Sequence, residues 1–272
     1  MRRLLATLAW PVVMGSSMLT LVVLPGVWSS SAVMIVTGLV VALLERATGR
    51  PEWRPVSREL GQDLFYAVLS GALAGGLQLL FFRDAGVVSR LASERALMVL
   101  GGVVLSDAAS WLAHLALHRV PLLWRVHAVH HAVPKLYGLN ALHNHPLDVL
   151  FATGLAVAPL LALGFDAELA GAVGALSTAH FWFQHTSADV RLGWLNAIVS
   201  GPELHRWHHS VRAEESNQNY GMVFSMWDRL FRTWHAPDVP AQLGVDDAIP
   251  RTTLLEQTRS PFVRALPPDD PP

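Results

Sequence analysis

The sequence predicts an all-α integral membrane protein: about four to six transmembrane helices with a histidine-rich helical cap on their cytoplasmic side. Three observations lead there. The 272 residues are 52% hydrophobic and only 15% charged, with a mean hydropathy of +0.35, which is too apolar for an ordinary soluble domain. Apolar runs near the ~20 residues that cross hydrocarbon recur at 4–24, 30–45, 63–82, 95–113, 147–164 and 168–184. Twelve of the thirteen histidines lie between His114 and His209, most of them in the segments that join the later runs.

The first run follows Arg2 and Arg3. It is read as a span rather than a secretory signal, because it is too long for one and no small-residue cleavage site closes it. The second and fifth runs are short and interrupted, which allows a paired, partly inserted arrangement. Arg46, Arg50, Arg54 and Arg58 follow the second run. Arginines at both ends of a first hairpin place those ends in the cytoplasm. Counting forward, the loop around Arg83–Glu94 lies outside, span four returns near His114, and spans five and six form a hairpin that returns near His185. The chain then divides into 1–94, an anchor; 95–235, spans alternating with histidine-rich segments; and 236–272, a Pro- and Asp-rich cytoplasmic tail containing "TTLLEQTRSPF" as a short docking helix.

Prolines punctuate the histidine segments. Pro121 stops the helix carrying His114 and His118 and begins the next, which Pro134 ends. Pro146 and Pro202 mark two further helix starts. His114 and His118 are spaced i, i+4, and each of the triplets His127/His130/His131 and His205/His208/His209 is spaced i, i+3, i+4. Each set therefore lies on one helical face. With His185 these make a set of nine that short helices at one membrane depth can aim at a metal pair.

Imidazole binds zinc, copper, iron and nickel alike, but nine exceed the three or four ligands of one zinc site. The absence of cysteine excludes disulfides, thiolate zinc sites and iron–sulfur clusters. Net charge is −1, so no basic excess points to nucleic acid. Glu-x-x-His pairs, His-x-Glu deaminase and His-Glu-x-x-His protease signatures are all missing. His145 and His180 are candidates for a further ligand or a supporting contact, as are Asp107 and Asn219; Asn140, Asp189 and Asp228 are other polar groups near the histidines. His143 and His235 read as ordinary hydrogen-bonded residues. Trp111, Trp124, Trp182 and Trp207 read as an interfacial aromatic belt. Two other classes remain open at this point: a zinc-dependent membrane hydrolase, and a non-catalytic haem- or metal-binding membrane protein.

The segments "DAASWLAHLALHRVPLLWRVHAVHH", "HNHPLD", "QHTSADVRLGWLN", "ELHRWHHS", "NQNYG" and "WDRLFRTW" run in order over residues 100–235. They resemble the fatty acid hydroxylase/sterol desaturase superfamily, whose hallmark is the boxes H-x3-H, H-x2-H-H and H-x2-H-H. The resemblance implies a membrane enzyme with a histidine-bound di-iron centre that uses O2 to hydroxylate or desaturate a lipid; zinc is expected to replace iron on purification. By position it implies His114, His118, His127, His130, His131, His185, His205, His208 and His209 as metal ligands, with His145 on a recurrent family histidine. Leu115, His143 and Arg232 depart from residues common in the family.

The electrons for such a reaction must come from elsewhere, since the chain carries no cluster cysteines, dinucleotide fingerprint or haem domain. A separate ferredoxin- or haem-type electron-transfer protein is expected, with Arg206, Arg212, Arg229 and Arg232 either receiving it or acting as positive-inside anchors. The expected location is the bacterial inner membrane.

Overall fold

The computed structural model of the chain describes residues 2–24, 28–82, 92–236, 242–245 and 253–263. The Arg2 and Arg3 side chains, the loop 83–91, and most of the Pro/Asp-rich tail lie outside the described residues, so the expectations placed on them do too. Regular secondary structure among the described residues is helical, joined by short 3-10 turns and isolated β-bridges.

All six apolar runs are long helices. They are α1 (Arg2–Val23), α2 (Ser29–Thr48), α3 (Ser57–Phe81), α4 (Ala92–Arg119), α6 (Pro146–Ala162) and α7 (Ala167–Gln184). The second run is not interrupted: α2 continues through Thr48. Ser29–Thr48, Ser57–Phe81 and Glu94–Arg119 are long and apolar enough to cross a membrane, while Leu8–Val23 and Pro146–Ala162 are shorter apolar helices. The intervening short helices are α5 (Pro121–His131), α8 (Pro202–His208), α9 (Ala213–Ser216) and α10 (Met226–Phe231), and α11 (Leu254–Val263) follows. Pro121, Pro146 and Pro202 each occupy the first turn of a helix, where the missing N–H costs nothing.

The long helices alternate in direction and so define two poles. At one, the ends of α3 and α6 meet the starts of α4 and α7. Phe82, Leu160, Phe165 and Leu169 pack together there, Gln78 Nε2 donates to the Ala167 carbonyl at 2.8 Å, and Arg95 pairs with Glu168 at 2.7 Å. Gly164, at φ 69°, supplies the left-handed residue that lets α6 turn into α7. Asp166 caps α7 by accepting from the Leu169 N–H at 2.8 Å.

All the buried histidines of the sequence clusters collect toward the other pole. The arginine-rich linker after α2 is tied there: the Arg50 N–H donates to the Ser187 carbonyl at 3.1 Å, and Glu45 accepts from the N–H groups of Gly138 and Ser187.

Between the poles α7 is the central helix, packed against α1, α2 and α4. Its small residues Ala170, Ala172, Ala175 and Ala179 are buried and let neighbouring helices come close. A polar rivet, Ser17 to Thr37 at 2.8 Å, joins α1 to α2. Gly38 of α2 receives the Trp182 indole so closely that a Cβ would stand 2.6 Å from its ring. Gly38→Val must push that ring aside. It should destabilise the protein by about 1–3 kcal/mol, whereas Gly75→Ala, with open space around it, should be neutral or stabilising by up to ~1 kcal/mol. Thermal unfolding of the two variants in one detergent provides the comparison.

Candidate metal centre

Four elements deliver the histidines. The last two turns of α4 carry His114 and His118, whose rings are 5.2 Å apart. A break at Val120 turns the chain into α5, which carries His127, His130 and His131. His185 is the C-cap of α7, and α8 with its C-cap carries His205, His208 and His209. All nine side chains are buried.

They converge as two groups. His114, His118, His127, His131 and His208 form the first; His130, His185, His205 and His209 form the second. Within each group the ligand-type nitrogens lie within 4.8 Å of one another. Each H-x2-H-H triplet is therefore divided, and in opposite senses. The i, i+4 pair of α5 joins the first group and its middle histidine the second; the i, i+4 pair of α8 joins the second and its middle histidine the first. Each triplet keeps to one broad helical face, and the structure adds that this face is shared between two groups. Adjacent helical residues diverge by about 100°, enough for His130 and His131, or His208 and His209, to serve different groups. His131 and His209 stack at 4.4 Å along the boundary.

Outer hydrogen bonds decide which nitrogens face inward. His114 Nδ1 donates to the Tyr220 carbonyl at 2.8 Å, His127 Nδ1 to Asp148 at 2.8 Å, and His208 Nδ1 to the Gln218 carbonyl at 2.8 Å. His185 Nδ1 donates to Asn140 Oδ1 at 3.1 Å. A neutral imidazole that donates from Nδ1 has a bare lone pair at Nε2. His114 Nε2 and His127 Nε2 nevertheless face each other at 3.1 Å. Two lone pairs at that distance repel unless a proton or a metal ion lies between them. In the second group His185 Nε2 and both ring nitrogens of His205 and His209 are buried and, among the described residues, have no hydrogen-bond partner. An all-imidazole donor set with its lone pairs turned inward fits a pair of transition ions.

Carboxylates brace the surroundings. Asp63 of α3, which is fully buried, accepts from the Tyr137 hydroxyl and from His143 Nδ1. It thereby grips both ends of the turn at Gly138–Leu142. That turn carries Asn140, the partner of His185, and the His143 carbonyl, which accepts from His130 Nδ1 at 3.4 Å. Asp228 accepts from Trp111 and from the N–H groups of Tyr220 and Gly221. Asp107 accepts from the N–H groups of Val223 and Phe224 and from Trp227. The two hold the loop whose carbonyls orient His114 and His208.

The other candidate residues stand outside both groups. His145 caps α6, accepting from the Leu147 N–H, and its Nε2 donates to the Thr258 carbonyl. His180 accepts from Trp10 and donates to the Ser200 carbonyl. Asn219, at φ 57°, ties its loop to His235. Asp189 lies at the surface beside Arg191.

Arg206 is not a surface cation. Its guanidinium is buried and donates to the carbonyls of Thr186 and Ala188, and it lies over the Trp53 ring at 5.3 Å. The belt reading of the tryptophans is also corrected. Trp111, Trp124 and Trp207 are buried, and Trp124 packs 4.9 Å from His118, because rings and indoles fill the same core. Sequence reasoning missed Asp148 and Asp63. Their signal was an acid inside an apolar run, which is costly unless partnered.

Burial first, then crowding by neighbouring imidazoles, hold His130, His131, His205, His208 and His209 well below the ordinary histidine value of 6.5. The unfolded chain accepts protons as pH falls through about 6.5 while the folded metal-free chain refuses them. The stability of chelator-stripped protein should therefore be flat above about pH 7 and decline steadily below about pH 6.5. Melting temperatures measured across that range check it.

The fatty acid hydroxylase family model matches residues 99–233, the stretch that spans every histidine of both groups. The chain is 30% identical over 171 residues to an ornithine lipid hydroxylase from Rhizobium tropici, covering 62% of this chain and 51% of that relative. It is 36% identical over 55 residues to an alkylglycerol monooxygenase from Caenorhabditis elegans, covering 20% of this chain and 11% of the relative. It is 33% identical over 69 residues to the human alkylglycerol monooxygenase, covering 25% and 15%. The chain thus spans about half the length of the first relative and much less of the others. No solved structure matches it. Through the segment that builds both histidine groups, the chain belongs to the fatty acid hydroxylase/sterol desaturase superfamily.

Proposed function

We propose that the protein is a membrane-bound, O2-dependent di-iron oxidoreductase that hydroxylates or desaturates a lipid. The observation that carries this reading is the pair of adjacent all-histidine groups, with bare lone pairs turned inward, at one end of a bundle of apolar helices. His114, His118, His127, His131 and His208 would hold one ion, and His130, His185, His205 and His209 the other. When bound, a pair of ferrous ions supplies O2 activation and removal of hydrogen from an unactivated C–H bond.

The chain's own residues do the rest. Asp148, Asn140 and the carbonyls of Tyr220 and Gln218 keep the Nδ1 protons of four imidazoles outside the site, so the opposite ring nitrogens would face the metals. Imidazole ligands survive an oxidising site that thiolates would not. Apolar α4, α6 and α7 offer the surface along which an alkyl chain approaches. The relatives act, by name, on an ornithine lipid and on alkylglycerols. Both pair a long hydrocarbon chain with a polar head, and the same class of substrate is proposed here.

Hydroxylation of a C–H bond by O2 with release of water consumes two electrons and two protons, and the electrons would come from a separate ferredoxin- or haem-type protein. Arginines in the Thr48–Ser57 linker lie at the histidine pole, which supports a cytoplasmic site and an inner-membrane location.

Anaerobic reconstitution should load about two iron ions per chain, and His118→Ala and His130→Ala should each lose one. Haem absorbance, or saturation by a single zinc, would sink the proposal. In the cell, a deletion strain complemented with the wild type should regain an oxidised lipid that His130→Ala fails to restore. Identical lipid profiles in all strains would remove the enzymatic reading.

The braces make a separable prediction. Asp148→Asn should weaken the first site and Asp63→Asn the second, each by about 10–100-fold in metal affinity. Chelator competition with iron spectroscopy distinguishes the two sites.

A further inference from the structure

The last described helix, α11 (Leu254–Val263), is built with its polarity reversed. Gln257, Ser260 and Pro261 are its buried residues. Gln257 is 1% exposed, and among the described residues neither atom of its amide has a hydrogen-bond partner. Leu255, Phe262 and Val263 point the other way and are 58%, 63% and 74% exposed. At about 100° per residue, Leu255, Arg259, Phe262 and Val263 share one arc of the helix, and Gln257 and Ser260 share the opposite one. A helix on a water-facing surface turns its apolar stripe inward; this one does the opposite.

Its position explains the inversion. The Thr258 carbonyl accepts from His145 Nε2 at 3.1 Å, and the Phe262 ring is 6.0 Å from the His145 ring. His145 is the N-cap of α6, so α11 lies at the level where that apolar helix begins. It also packs against α5, which starts where the long span α4 ends. Leu147 and Leu150 in the first turns of α6 and Leu122 at the start of α5 are exposed as well. The apolar arc of α11 thus continues a lipid-facing surface at the boundary between hydrocarbon and water. Arg259 lies within the arc, where its stem can follow the apolar surface and its guanidinium reach the headgroups.

We propose that α11 is an in-plane interfacial helix whose Leu255, Phe262 and Val263 are inserted in the bilayer leaflet on the histidine side. The occupant of the face is the lipid leaflet itself, and the inference stands whichever substrate the metal centre acts on. It moves this helix, which the sequence suggested as a short docking helix within a cytoplasmic tail, onto the membrane surface. Burying three apolar side chains beside a neighbouring cation is the chemistry of monotopic helices.

The chain has no cysteine, so single spin labels can be introduced without background. The full-length protein is labelled at Phe262→Cys, at Val263→Cys or at Leu255→Cys. Each sample is reconstituted as one copy per nanodisc of phosphatidylcholine and phosphatidylglycerol. Power saturation with oxygen and with a water-soluble nickel chelate reads the depth of the label. Arg191→Cys, 82% exposed at its side chain, is the aqueous reference, and Val68→Cys, on the exposed face of α3, the lipid reference.

The expected result is an oxygen-to-nickel ratio at the α11 positions several-fold above that of Arg191→Cys and approaching that of Val68→Cys. Ratios equal to the aqueous reference overturn the proposal. Labels shielded from both reagents also overturn it, since protein then covers the face. Unchanged metal loading in the labelled variants shows that the fold is intact, and failure of the lipid-oxidation reading would leave the depth measurement unaffected.

Discussion

A buried imidazole nitrogen with nothing to bond is the constraint around which this protein is arranged. Four histidines spend their Nδ1 protons on fixed acceptors outside the site, and their remaining lone pairs point into two small spaces. At 3.1 Å between His114 and His127 those lone pairs oppose each other, and in the second group several ring nitrogens meet no partner among the described residues. Burial removes water as a remedy. The fold therefore gathers imidazole nitrogens that could hold metal ions at one pole.

The acids are placed to maintain that arrangement. Asp63, Asp107, Asp148 and Asp228 lie inside or at the ends of largely apolar helices, where an unpaired carboxylate is very costly. Each accepts at least one strong hydrogen bond, and three of the four act on the histidine groups through a loop or turn. Asp63 grips the Gly138–Leu142 turn, and Asp107 and Asp228 hold the 218–227 loop. Only Asp148 touches a histidine of either group directly. This layered arrangement explains why a segment of about half the chain carries the family likeness: it contains the histidines together with most of the groups that orient them, all but Asp63.

The two groups are related by exchange between helices. α5 contributes two rings to the first and one to the second, and α8 does the reverse. Neighbouring rings of different groups stack across the boundary, so a displacement of either short helix is felt in both. Rigidity is then shared: α8 is set against the central helix α7, and α5 against α4 and α6.

Much of this was determined locally and was therefore legible in the residues themselves. Apolar length defines six helices, proline at a first turn defines where α5, α6 and α8 begin, and i, i+4 spacing defines which histidines share a face. Those are properties of neighbouring residues, and no distant partner is needed to read them. Tertiary structure alone decided the division of each triplet between two groups, because a helical arc is broad enough to serve either side and only the positions of α4 and α7 choose. It also decided that Asp148 and Asn140 orient imidazoles while His145 and His180 bind elsewhere. Those hydrogen bonds join residues far apart in the chain, and their geometry exists only once the helices have packed.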